Sequence, residues 1–216
     1  MQSYIKYFEI AAALAAIVNW KYIRRDAFIK HLAYLVFFIA AAELAGFVIK
    51  HYKLPNAPFY NFIVNPGIFI LYALAFYMGF TNRRNRLFAI YGAYITILIW
   101  GATVYLVNAN KMLNVYGYIA GAIFVALLAI LKILELVKQD QHPNYLKSPL
   151  IFLLLAILFF YLITVPHYSI SFYMFLKKIK GSSITFLLYI HAIFNYLLYT
   201  CFFLTFLLWG RSKQKY

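Results

Sequence analysis

The sequence predicts an all-α polytopic membrane protein: one domain over residues 1–216, built as a seven-transmembrane-helix bundle with its N-terminus out and its C-terminus in. Three observations carry this. The chain is 66% hydrophobic and 21% aromatic, and only 12% of its residues are charged, about half of what a soluble domain carries. Its apolar runs reach the roughly 20 residues a helix needs to cross the hydrocarbon core, and they occupy nearly the whole chain. The 20 Lys and Arg, against five Asp and Glu, collect between the apolar runs, where basic side chains anchor helix ends at headgroups.

In order, the expected spans are Tyr4 to Tyr22, Ala27 to Ile49, Pro58 to Phe80, Leu87 to Val107, Val115 to Val137, Pro149 to Pro166 and Ile184 to Trp209. Connections are short except between the last two. There YSISFYMFLKKIKGSS is amphipathic enough to lie along the membrane surface as a short helix. Pro55 and Pro58 bracket the start of span three, Pro143 and Pro149 flank the start of span six, and Pro166 is expected to close it. Pro66 and Gly67 fall inside span three, where a proline removes a helix hydrogen bond and bends the helix.

Counting basic residues sets the orientation. With the N-terminus outside, Lys6, Lys50, Lys53, Lys111, Lys177, Lys178 and Lys180 face out. Lys21, Arg24, Arg25, Lys30, Arg83, Arg84, Arg86, Lys138, Lys147, Arg211, Lys213 and Lys215 face in, with Lys132 reaching toward them. Every arginine is then inside, as the positive-inside rule prefers. A net charge of +15 would suggest nucleic acid for a soluble protein; between spans it points to the lipid bilayer, and no nucleic-acid partner is expected. No basic leader with a short apolar core and small-residue cleavage site opens the chain, so the first apolar run is expected to remain in the mature protein.

Few polar groups lie within the spans, and those few share a depth. Glu9, Glu43, Asn61, Asn65 and His191 come from four spans yet all fall in the outer half, at about 1.5 Å of rise per residue. Asn61 and Asn65 share a face, as do His191 and Asn195, with Tyr199 a turn further on. Ala12, Ala13 and Ala16 flank Glu9, and Ala40 and Gly46 flank Glu43; small faces let helices pack closely in lipid. Spans one, two, three and seven are therefore expected to meet around a polar cluster. Two readings stand: an outward-facing ligand or ion pocket with Glu43 and His191 as its charge-bearing groups, or interhelical hydrogen bonds that fix packing. A Glu43–His191 pairing is a further expectation. Near the inner end of span five, Lys132 and Glu135 are spaced for an intrahelical ion pair. Gly117 and Gly121 match the Gly-x-x-x-Gly contact pattern, for a dimer or an internal helix contact.

No zinc-protease, nucleophile-elbow or phosphate-loop motif occurs, and no carboxylates are spaced for magnesium. The serines near His167 have no carboxylate beside them in sequence. No enzyme activity, cofactor or metal is expected. Cys201, the only cysteine, reads as a small apolar residue in a helix. Span seven has no lysine in its membrane portion for a retinal Schiff base.

The segments AAELAGF (Ala41 to Phe47), FYNFIV (Phe59 to Val64), SPLIF (Ser148 to Phe152) and HAIFNYLLY (His191 to Tyr199) together resemble a group of small seven-helix integral membrane proteins common in Bacteroidota. The sixth span, LLLAILFFYLITVP, departs from the aromatic and Gly/Ser-containing span of that group. The resemblance implies a seven-helix fold and a sensory or signalling context. The expected location is the inner membrane of a bacterium. Three functions are weighed: a sensor-like module that acts through a soluble cytoplasmic partner, an oligomeric ion channel, and a small-solute transporter using the Pro66–Gly67 break beside its polar residues.

Overall fold

The computed structural model describes residues 2–106, 112–138, 148–177 and 182–212. Among these every regular element is helical: α1 (Gln2–Val18), α2 (Trp20–Ile23), α3 (Ala27–His51), α4 (Asn56–Phe59), a π-helical turn (Tyr60–Val64), α5 (Asn65–Gly79), α6 (Arg83–Val104), α7 (Val115–Lys138), α8 (Pro149–Leu176) and α9 (Ser182–Ser212). Six helical stretches are long and apolar enough to cross a membrane: Ala27–His51, Asn56–Gly79, Arg83–Val104, Val115–Lys138, Pro149–Met174 and Leu188–Trp209. The chain has the build of a multi-pass membrane protein. The expected first span, α1, has 17 residues and is not among the six. It stops at Asn19, whose side-chain amide donates to the Ala15 carbonyl at 3.1 Å, and α2 adds one further turn.

Helix ends follow their local chemistry. Asp26 starts α3 by accepting from the Phe28 and Ile29 amides at 3.0 and 3.2 Å, and Asn82 starts α6 by accepting from the Arg84 amide at 2.9 Å. α3 ends in a left-handed turn at Lys53 (φ 58°), with the Leu54 amide reaching back to the Ile49 carbonyl at 3.1 Å.

Two sequence expectations change here. Pro166 does not close a span, because α8 runs through it to Leu176. The ring is exposed, so the lost hydrogen bond lies on the outer face, while His167 and Met174 are buried and Ser171 half-buried. Spacings of four and three put these on one face, which holds the extension against the bundle instead of on a membrane surface. Tyr168 packs on Tyr118 of α7 at 4.6 Å between ring centroids, and Phe172 on Tyr116 at 5.4 Å. Span three keeps its expected place, Asn56–Gly79, and the irregularity expected beside Pro66 takes the form of a π turn between α4 and α5. Residues 178–181, with Lys111, Pro143, Lys147, Lys213 and Lys215, lie outside the described residues.

The helices form a closed ring in the order α1, α3, α5, α7, α8, α9 and back to α1, with α6 packed on α5 and α7 from outside. Tyr72, Phe69, Phe76, Phe80, Phe202 and Phe206 are its largest fully buried side chains. Glycines permit the closest approaches. A Cβ on Gly121 would overlap the Phe69 ring, and one on Gly117 would meet the Trp100 indole at 2.7 Å. Of the two contacts left open for this pair, the internal one is formed.

Lys132 and Glu135 are both buried and paired at 3.3 Å, and they also clamp the turn between α5 and α6. One oxygen of Glu135 accepts from the Thr81 amide at 2.8 Å, the Thr81 hydroxyl at 2.6 Å and the Asn82 amide at 2.7 Å. Lys132 donates to the Gly79 carbonyl. Its ammonium sits 5.9 Å from the Phe28 and Phe80 rings. Removing one partner leaves an uncompensated buried charge, which costs about 3 kcal/mol or more. Glu135→Ala is therefore expected to lower the unfolding free energy in bicelles by at least that amount, and Glu135→Leu combined with Lys132→Met should restore only the share due to the stranded ammonium, since the Thr81 and Asn82 amides stay unserved.

Candidate functional site

One end of the ring gathers the N-termini of α1, α5, α7 and α9 and the C-termini of α3 and α8. The opposite end carries Arg24, Arg25, Arg83, Arg84 and Arg86. A cavity of about 220 Å³ lies at the first end. Every ring helix contributes to its wall: Glu9 from α1, Glu43 from α3, Asn65 and Tyr72 from α5, Tyr118 from α7, Phe160, Tyr161 and Tyr168 from α8, and His191, Asn195 and Tyr199 from α9. Tyr60 of the π turn completes it. α6 is not on the wall.

The two acids are held differently. Glu43 is half-buried and accepts a hydrogen bond from the Tyr60 hydroxyl at 2.9 Å. Gly46 lets that ring lie on α3, since a Cβ there would stand 2.9 Å from the hydroxyl. Glu9 is buried, feels the charge of Glu43 and meets Tyr199 as a hydrogen-bond partner, but its Oε2 has no partner. Small residues make this burial feasible: Ala12, Ala13 and Ala16 are buried on α1.

His191 is half-buried, and its Nε2 meets no hydrogen-bond partner. Its ring stacks on that of His167, 4.4 Å between centroids and 13° between planes, and lies 5.4 Å from Phe160 and 5.9 Å from Tyr168. The expected pairing of Glu43 with His191 is not formed; Tyr60 takes its place.

Five of the six polar residues singled out from sequence line the cavity: Glu9, Glu43, Asn65, His191 and Asn195. Asn61 does not. It is wholly buried and acts as a staple: its Nδ2 donates to the Met112 carbonyl at 2.7 Å and its Oδ1 accepts from the Asn114 amide at 2.8 Å. Asn114 in turn donates to the Trp100 carbonyl at 3.1 Å and the Thr103 hydroxyl at 3.0 Å.

The Pro66 break explains part of this arrangement. Without an N–H, Pro66 cannot satisfy a carbonyl one turn earlier. The π turn places the Asn65 amide on the Tyr60 carbonyl, and the Asn61 carbonyl instead accepts from the Trp100 indole at 2.8 Å. Gly67 admits the Phe38 ring, 2.6 Å from where a Cβ would stand. The irregular turn is thus bonded to α6 on one side and, through Tyr60, to the cavity on the other.

Sequence reasoning missed His167 and the tyrosines Tyr60, Tyr72, Tyr118, Tyr161 and Tyr168. Ending span six at Pro166 removed His167 and Tyr168 from the bundle. The other tyrosines carry no sequence signal that separates a cavity wall from an interfacial aromatic belt, apart from the spacing of seven that puts Tyr161 and Tyr168 on one face. Comparison with protein families, with curated proteins and with solved structures finds no match for the chain. Asn61→Ala should strand the Asn114 amide and the Met112 carbonyl, at about 1–3 kcal/mol each. The expected result is a clear fall in unfolding temperature, whereas Asn195→Ala, on the cavity wall, should change it little.

Proposed function

We propose that the protein is a receptor-like module of a bacterial cytoplasmic membrane, in which occupancy of the cavity is passed to a soluble partner at the arginine-bearing end. In this reading the chain crosses seven times, with the N-terminus and cavity outside. The place of α1 in the ring supports a seventh crossing, because Glu9 faces the cavity and α1 with α2 extends to Ile23. The concentration of arginines at the other end supports the orientation.

The observation that carries the reading is the closure of the cavity toward the arginine end. From its wall, two aromatic ladders descend: Tyr72, Phe76 and Phe80 along α5, with successive centroids 6.5 and 5.9 Å apart, and Tyr199, Phe202 and Phe206 along α9, at 6.3 and 5.8 Å. All but Tyr72 and Tyr199 are wholly buried, and those two are nearly so. Ion passage through one chain needs a polar route, and these ladders fill the space where it would run. A chamber that receives a ligand without passing it on is a receptor.

The coupling follows the bonds already described. A ligand that engages Glu43 competes with Tyr60, which belongs to the π turn. That turn holds α6 through Asn61 and Trp100, and α6 begins at Arg83, Arg84 and Arg86. The helix outside the ring is therefore the element that reports cavity occupancy to the inner face.

Purified protein in sealed liposomes tests this against the conduit readings. Native protein and Glu43→Gln should both show ion flux no greater than protein-free liposomes, with helix content intact. Flux that the substitution alters would overturn the receptor in favour of an oligomeric channel, and saturable solute uptake would overturn it in favour of a transporter.

A further inference from the structure

Resting on the reading of the cavity as a ligand site, we propose that its ligand is a small organic cation, a protonated amine or quaternary ammonium bearing an apolar group. It is held between the Glu9 and Glu43 carboxylates and a cage of aromatic rings.

Charge is the first ground. The wall carries two acids and no lysine or arginine. A carboxylate without a partner in an apolar interior costs several kcal/mol, so a cationic occupant gains what an anion or a neutral molecule does not. The second ground is the vacant acceptor. Glu9 is 5% exposed, lines the cavity and has no partner at Oε2. Buried acceptors in folded proteins nearly always meet a donor, and an N–H from an occupant of the cavity supplies one.

The third ground is the remaining wall. Tyr72, Tyr118, Tyr161, Tyr168, Tyr199 and Phe160 line the same cavity as the acids, and aromatic faces attract an ammonium within about 6 Å of their centroids. Rings of this kind contribute little to an ion that must keep oxygen ligands. Among the described residues no group of three or more His, Cys, Asp or Glu could hold a metal ion. An alkyl- or arylammonium uses both parts of the wall, its head at the carboxylates and its tail on the rings.

A second space of about 220 Å³ adjoins the first between α1 and α3, lined by Lys6, Tyr7, Ile10, Ala40, Leu44 and Phe47, with Glu43 on both walls. Lys6 already illustrates the chemistry, its ammonium lying 5.4 Å from the Tyr7 ring and 5.5 Å from that of Phe47.

Calorimetric titration of the full-length protein in nanodiscs, corrected with empty discs, tests the assignment using three probes of similar shape: 2-phenylethylammonium, 2-phenylethanol and 3-phenylpropionate. The ammonium should bind at least tenfold more tightly than the alcohol, and the propionate should not bind. Glu9→Gln should weaken the ammonium at least tenfold and leave the alcohol unchanged. Glu43→Gln, at a half-buried position, is measured in parallel and should weaken it in the same direction, with circular dichroism reporting the fold of each. If the alcohol or the propionate binds as tightly as the ammonium, the cation assignment falls while the ligand cavity stands. Ammonium binding that survives both substitutions in folded protein also overturns it. If none of the three binds to natively folded protein, the ligand cavity itself is wrong, and this inference goes with it.

Discussion

Hydrocarbon offers no hydrogen bonds, so each polar group carried into the bundle must be answered by another part of the same chain. The positions of Glu135, Asn61, Glu9 and Glu43 follow from that constraint, and so does much of the packing between them. Where a single side chain serves several orphaned backbone groups, it ties together elements far apart in sequence. Glu135 does so for the turn that joins α5 to α6, and Asn61 for the approach to α7.

These two sites also provide a standard for judging the cavity. At Glu135 one oxygen accepts three hydrogen bonds while the other faces Lys132. At Asn61 the side-chain amide and carbonyl and the main-chain carbonyl are all engaged. Nothing remains for a ligand at either place, and their purpose is structural. The cavity differs, because Glu9 Oε2 and His191 Nε2 keep unused capacity in a space large enough to be filled. Buried polar groups with capacity to spare are costly, and a site that must exchange its occupant has a reason to keep them.

Between the polar ends the bundle is packed with apolar and aromatic side chains. The ladders on α5 and α9 descend at helical spacing from two tyrosines that belong to the cavity wall, so the same faces that bound the chamber also seal it below. The π turn is the exception to regular geometry in this region, and π turns frequently mark functional sites. Here it brings a cavity tyrosine and an anchor for α6 into one segment of five residues.

Sequence alone determined the apolar helical class and six helices long and apolar enough to cross a membrane, with approximate bounds for all but the one through Pro166, because crossing demands about 20 apolar residues in a row and leaves a signal within each segment. It also placed Glu9, Glu43, Asn61, Asn65 and His191 at one depth, with Asn195 on the face of His191, since rise per residue is fixed once a helix is assumed. Tertiary structure decided the rest. Depth says nothing of azimuth, so only the ring order of the helices could separate Asn61, turned toward Trp100 and Asn114, from Asn65 one turn away on the cavity wall. Pro166 showed the same limit: a proline costs one local hydrogen bond, but whether the helix continues depends on what its far side packs against. In this chain it packs against α7 and brings His167 to His191. The partner of Glu43 likewise came not from the helix the sequence suggested but from a π turn, whose geometry arises from a proline that cannot donate and an indole that can.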